Sequence, residues 1–167
     1  MMQITQSTAL DLQNALQKDL TDLFKGHFYK SPSLGPDGKS LYSEPQVFCQ
    51  NLPKRQSEND PEPFPHIIVR LDSGRIASQR DAHRVAVLLL VGTYNDDPMN
   101  SGHEAVIQIM EKIHAHYAEN RVLKRSFVFQ DPFDWVLQDE ESYPYFFGTA
   151  RIIFDAPAPR QKASVYT

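Results

Sequence analysis

The chain of 167 residues has one cysteine, Cys49. A lone thiol excludes an internal disulfide and any cysteine-built zinc site within one chain, and it suits a reducing, intracellular setting. No basic stretch followed by an apolar run opens the sequence, so no signal peptide is expected. The longest apolar run, Val85 to Val91, is too short to cross a bilayer as a helix, and no membrane association is expected. An excess of basic residues is also missing. The formal net charge is −4, which argues against sequence-independent attraction to nucleic acid, because that affinity comes from Lys and Arg neutralising phosphates. Neither G-x-G-x-x-G, nor G-x-x-x-x-G-K-[ST], nor G-x-S-x-G occurs, which removes the common phosphate loops and the nucleophile elbow.

What is present is the composition of a folded domain, 41% hydrophobic and 23% charged. Leu12, Leu16, Leu20, Leu23 and Phe24 recur at helical spacing, with Ser7 or Thr8 placed to cap the start and Gly26 to end it. Ser31 to Pro45, with a Pro36-Asp37-Gly38 turn, reads as a loop, and Val47 to Cys49 as a short strand. Pro53 to Pro65 reads as an extended, exposed, mobile segment, because its alternating prolines fix φ and remove donors.

His66 to Leu71 reads as a strand, Asp72-Ser73-Gly74 as a turn, and Val85 to Gly92 as the most apolar strand, the two forming a hairpin with a long polar connection. Asn95-Asp96-Asp97-Pro98 predicts a helix start, with Asp97 as N-cap and Pro98 as first helical residue. That helix runs to about Tyr117, roughly 30 Å at 1.5 Å per residue, with Asn120 as its stop. Its buried stripe is Val106, Ile109, Met110, Ile113 and Tyr117. Short strands are expected at Phe127–Phe129 and Trp135–Leu137, and a final one from Phe146 to Phe154. The expectation is a single α+β domain over residues 1–157: a largely antiparallel sheet of about five strands, with an N-terminal helix and one long helix packed on it. Residues 158–167 are expected to form a flexible tail.

Chemistry has few candidates. Glu111 and His114 make one E-x-x-H pair, but a di-iron bundle needs two, with further glutamates. His114 and His116 are two apart and face different ways on a helix. Cys49 with His66 would need a lowered thiol pKa, for which no electropositive setting is visible. Asp96 and Asp97 lack the remainder of a calcium loop, and Asp139-Glu140-Glu141 reads as a solvated turn. No catalytic residue, cofactor or metal is expected. Arg75, Arg80 and Arg84, with His83, form the one concentrated basic stretch. It reads either as an arm for a neighbouring subunit or polyanion, Arg being enriched at interfaces, or as a solvated tip with Asp81 as internal partner.

Two features suggest assembly. Val85 to Val91 is apolar on both alternations, so a helix or a neighbouring subunit must cover each face. The last third is dense in aromatics, of which Tyr143 and Tyr145 are the interface candidates.

Three strings, PEPFPHIIVRLDSG, VAVLLLVGTYNDDPMNSGHEAVIQIMEKI and FQDPFDWVLQDEESYPYFFGTARIIFDAP, resemble tail terminator (tail completion) proteins of long-tailed bacteriophages over residues 61 to 157. The resemblance implies a fold akin to the lambda-type terminator. It also implies a hexameric ring of copies of the chain, bound to the tail tube protein and offering a surface to the head–tail connector protein, in a virion assembled in the bacterial cytoplasm. The family carries no catalytic residues. A connector or neck subunit is the structural alternative, and a small hydrolase or metal enzyme using Cys49 or the helix histidines the alternative of another class.

Overall fold

Ser7 is itself extended (φ −125, ψ 120), and its hydroxyl accepts the amide hydrogen of Leu10, which starts α1 (Thr8–Leu23). Leu12, Leu16 and Leu20 then fall on one stripe, fully buried together with Phe24, while Leu23 is only partly buried. Gly26, at φ +82, turns the chain away, a conformation that disfavours other residues. The computed structural model describes residues 7–157. The expected tail at 158–167 lies outside them.

The elements that follow are β1 (Tyr29–Leu34), β2 (Ser40–Ser43), β3 (Gln46–Cys49), β4 (His66–Arg75) and β5 (His83–Tyr94). After them come α2 (His103–Glu119), β6 (Val122–Leu123), β7 (Phe127–Leu137) and β8 (Tyr145–Ala156). The fold is α+β. One sheet holds six strands in the order β3-β4-β5-β8-β7-β6, and β1 and β2 form a separate two-stranded sheet. Every pairing in the large sheet is antiparallel except β3 with β4, which run parallel.

One face of the sheet carries the core. Ile67 and Val69 of β4, Val85, Val87, Leu89 and Val91 of β5, and Ala150, Ile152 and Phe154 of β8 join the α1 stripe in one apolar cluster. The α2 stripe is buried as its spacing requires: Val106, Ile109, Met110, Ile113 and Tyr117. Both helices therefore shield the same side of β5. On the opposite side Leu88 and Leu90 stay half-buried. Ala86 and Ile153, paired across β5 and β8, are buried there but stand outside the main cluster.

The outer border of β3 is partly covered by α1. The Gln46 amide donates to Pro65 and the Gln50 amide to Val69, so the alternate residues, Val47 among them, turn their backbone groups outward. Gln17 of α1 donates its side-chain amide to the Val47 carbonyl at 3.0 Å.

Four local expectations are corrected. The supposed loop from Ser31 to Pro45 contains the β1–β2 hairpin. Pro36-Asp37-Gly38 is its turn, with Gly38 at φ +77. The strands were hidden because they bury only Ser31 and hold no run of β-branched residues. Asp72-Ser73-Gly74 is not a turn: β4 continues through it after a register shift between Leu71 and Ser73, and the reversal lies at residues 76–82. The second helix starts at His103, after Gly102, not at Asp97. Asn95 and Asp97 use their side chains on the amides of Asp97 and Met99, and Asn100 adopts φ 56, which breaks any helix begun at Pro98.

The two short strands expected at Phe127 and Trp135 are one strand, β7, with its register shifted between Gln130 and Asp134, where Pro132 interrupts the pattern. The large sheet agrees with the expected, largely antiparallel sheet of about five strands; its sixth member, the two-residue β6, carries too little pattern to be seen in the sequence. The Pro53–Pro65 segment forms no helix or strand. It is tied down at its end, where Phe64 packs on His66, Tyr145 and Phe147.

Candidate assembly surfaces

The residues that invited catalytic readings are held apart. Cys49 pairs in register with Val69, and His66 with Gln46, so strand alternation puts the thiol and the imidazole on opposite faces of the sheet. Burial pushes the Cys49 thiol up and the His66 imidazole down. The His66 Nδ1–H donates to the Pro63 carbonyl at 2.8 Å, which fixes the neutral tautomer. His114 lies against the Phe133 ring, centroid to centroid 4.9 Å, whereas His116 meets Asp19 at 2.9 Å. Asp96 pairs with Lys30, which holds its carboxyl below the usual range. Among the described residues no three His, Cys, Asp or Glu side chains converge as metal ligands.

Arg75, Arg80 and Arg84 belong to the β4–β5 hairpin and all three are exposed. Arg84 makes a forked pair with Asp155 of β8, Nε to Oδ1 at 3.0 Å and Nη2 to Oδ2 at 3.3 Å. Asp81, expected as the internal partner, instead accepts the Ser78 hydroxyl at 2.9 Å. Among the described residues Arg75 and Arg80 make no ion pair. Beside Arg75 the apolar Ile76 is 46% exposed. Because His83 pairs with Ala156 and β6 joins β7 next to Phe127, the turn bearing the exposed Lys124 and Arg125 lies at this same end of the sheet.

Tyr143 and Tyr145 stand at the other end. β8 runs between the two ends for 12 residues, about 36 Å at roughly 3.3 Å per residue. Two loops meet there. The Asn95 amide donates to the Pro144 carbonyl at 2.8 Å, the Tyr143 hydroxyl to the Asp96 carbonyl at 2.6 Å, and the Asn100 side chain to Glu141 at 3.0 Å. Behind them the Tyr145 hydroxyl donates to Glu62. Burial first, and that carboxylate second, push the Tyr145 hydroxyl up to about 12. The stitched loops present Asp96, Asp97, Asp139, Glu140 and Glu141, all exposed, around Met99, 81% exposed, and Tyr143.

The five residues singled out from sequence thus form two patches of unlike charge at opposite ends of the sheet. The acidic loops were individually visible in the sequence as a helix cap and a solvated turn. Their union was not, because it depends on β5 and β8 pairing over twelve residues from Tyr94↔Tyr145 to His83↔Ala156.

A scan against protein-family models gives no match for this chain, and a search of curated proteins gives none either.

Proposed function

We propose that the chain is a structural subunit of a phage or prophage tail, a tail terminator. In this reading copies form a ring on the finished tube, stop its polymerisation and present the surface that joins the head. The observation that supports it is where the three resembling strings fall. PEPFPHIIVRLDSG ends in β4, the second string spans most of β5 and α2, and the third covers nearly all of β7 and all of β8. The likeness is thus spread over the central strands and the helix packed on them, as a shared architecture requires.

The physics of the role is surface closure. A head-to-tail interface that closes under rotation makes a ring, not an open filament, and a ring seated on the last tube layer covers the surface that recruits the next. The test is to add purified protein to polymerising tail-tube protein of the same phage or prophage and view the tubes by negative-stain microscopy. Tubes of arrested length capped by a ring are expected. Tubes that keep growing, with no density at their ends, would defeat the proposal.

A further inference from the structure

We infer that the basic β4–β5 hairpin of one copy docks on the acidic loop platform of the next. The inference rests on the self-assembly reading above and names the contact that would close the ring. Arg75 and Arg80 at the hairpin have no ion-pair partner among the described residues, and the platform carries Asp139, Glu140 and Glu141, all exposed. The two patches sit at opposite ends of one sheet, so a molecule cannot satisfy its own. Only another copy, placed head to tail, brings them together, and such an interface is heterologous.

Each patch also holds the apolar anchor that a charged rim needs at its centre. Ile76 is 46% exposed between the arginine-bearing strand and the hairpin tip. Met99 and Tyr143, 81% and 44% exposed, stand among the carboxylates. The platform is preorganised, since three hydrogen bonds between its loops are already made before any partner arrives. A nucleic acid would also offer negative charge to the hairpin. A second copy is favoured because the complementary charge and the complementary apolar residues occur together on this same chain, whose net charge of −4 repels a polyanion elsewhere.

The test uses the full chain in three forms: wild type, the hairpin variant Arg75→Glu/Arg80→Glu, and the platform variant Asp139→Lys/Glu140→Lys. All four positions are exposed, so the fold should tolerate the changes. Self-association is read by sedimentation velocity in low and high salt, and ring formation by microscopy on tail tubes. Wild type should associate, less so in high salt. Each variant alone should associate at least about tenfold more weakly, because like charges then face each other. An equimolar mixture of the two should recover association, since acidic hairpins meet basic platforms and basic hairpins meet acidic ones.

Variants that assemble and cap tubes like wild type would overturn this contact and leave the terminator reading standing. Self-association that obeys the charge rules without any capping of tubes would overturn the terminator reading alone. Wild type that stays monomeric both alone and with tubes overturns both, as does duplex DNA binding that the hairpin variant loses in a protein that never self-associates.

Discussion

Tyr117 of α2 donates its hydroxyl hydrogen to Asp19 of α1 at 2.8 Å, and the same carboxylate oxygen meets His116 Nε2 at 2.9 Å. The tyrosine is 1% exposed, and burial, reinforced by Asp19, raises its hydroxyl well above its ordinary value. This is a polar link between two helices whose apolar stripes share one core cluster. Asp19→Ala leaves a buried hydroxyl without an acceptor and should cost about 1–3 kcal/mol. Tyr117→Phe, which removes the donor and leaves Asp19 its histidine, should cost about 0.5–1.5 kcal/mol. Urea unfolding of both variants checks the order; a larger loss for Tyr117→Phe contradicts it.

The stripe of α1 gives a second comparison. Leu16 is 0% exposed and Leu10, on the same helix, 53%. Leu16→Ala should cost about 2–5 kcal/mol, the loss of buried methyl groups plus the cavity left behind. Leu10→Ala should stay within about 0.5 kcal/mol of wild type. Equal losses in denaturant midpoint would mean that the helix does not pack by this face.

Gly102, just ahead of α2, tests the acidic platform. A β-carbon added there would lie 2.2 Å from Cε2 of Phe146 and 2.3 Å from its Cδ2. The ring must move, and with it the start of β8 behind Tyr143 and Tyr145. Gly102→Ala should destabilise the protein by about 1–3 kcal/mol through overpacking. Adding Phe146→Leu should return part of that loss. Thermal melts of the single and double variants decide it, and a double variant less stable than the sum of its parts argues against the clash.

His66 sets a pH dependence. It is 3% exposed, against Phe64, and burial lowers its pKa from the ordinary 6.5. The unfolded chain therefore takes up a proton that the folded chain refuses as pH falls below the ordinary value. Stability is complete above that value and declines below it until the folded pKa is passed. Asp60 and Asp96, whose pKa values lie below the ordinary 3.8, act in a lower window. Between about pH 7.5 and about pH 5.5, wild type should lose more unfolding free energy than His66→Gln, whose side chain carries no proton equilibrium there. Parallel urea titrations at the two pH values measure the difference, and identical losses would contradict the burial argument.

Where the sequence could be read and where it could not follows from the range of the interactions. Both helix stripes and the apolar strand β5 were legible because each buries one continuous face, and burial leaves its period in the residues. The β1–β2 hairpin left no such trace: its strands bury one serine between them. Asp97 carried a helix-cap signature that was locally sound, yet the turn closed by Asn100 at φ 56 competes with the same residues for the same amides. At the surfaces, Arg75, Arg80 and Arg84 were readable as a cluster because they are neighbours along the chain. The acidic platform joins residues 96–100 to 139–144, and no local pattern announces a contact made across forty positions.

The Gln17 amide on the Val47 carbonyl bears on how such a protein survives crowding. A six-stranded sheet that ended in bare peptide groups at β3 would recruit any extended polypeptide nearby, and identical copies would be the nearest. With that carbonyl engaged and α1 lying alongside, the β3 border offers an incoming strand fewer free groups. At this border strand addition, which has no natural end, is disfavoured, and any contact between copies is left to side-chain surfaces, where geometry limits their number.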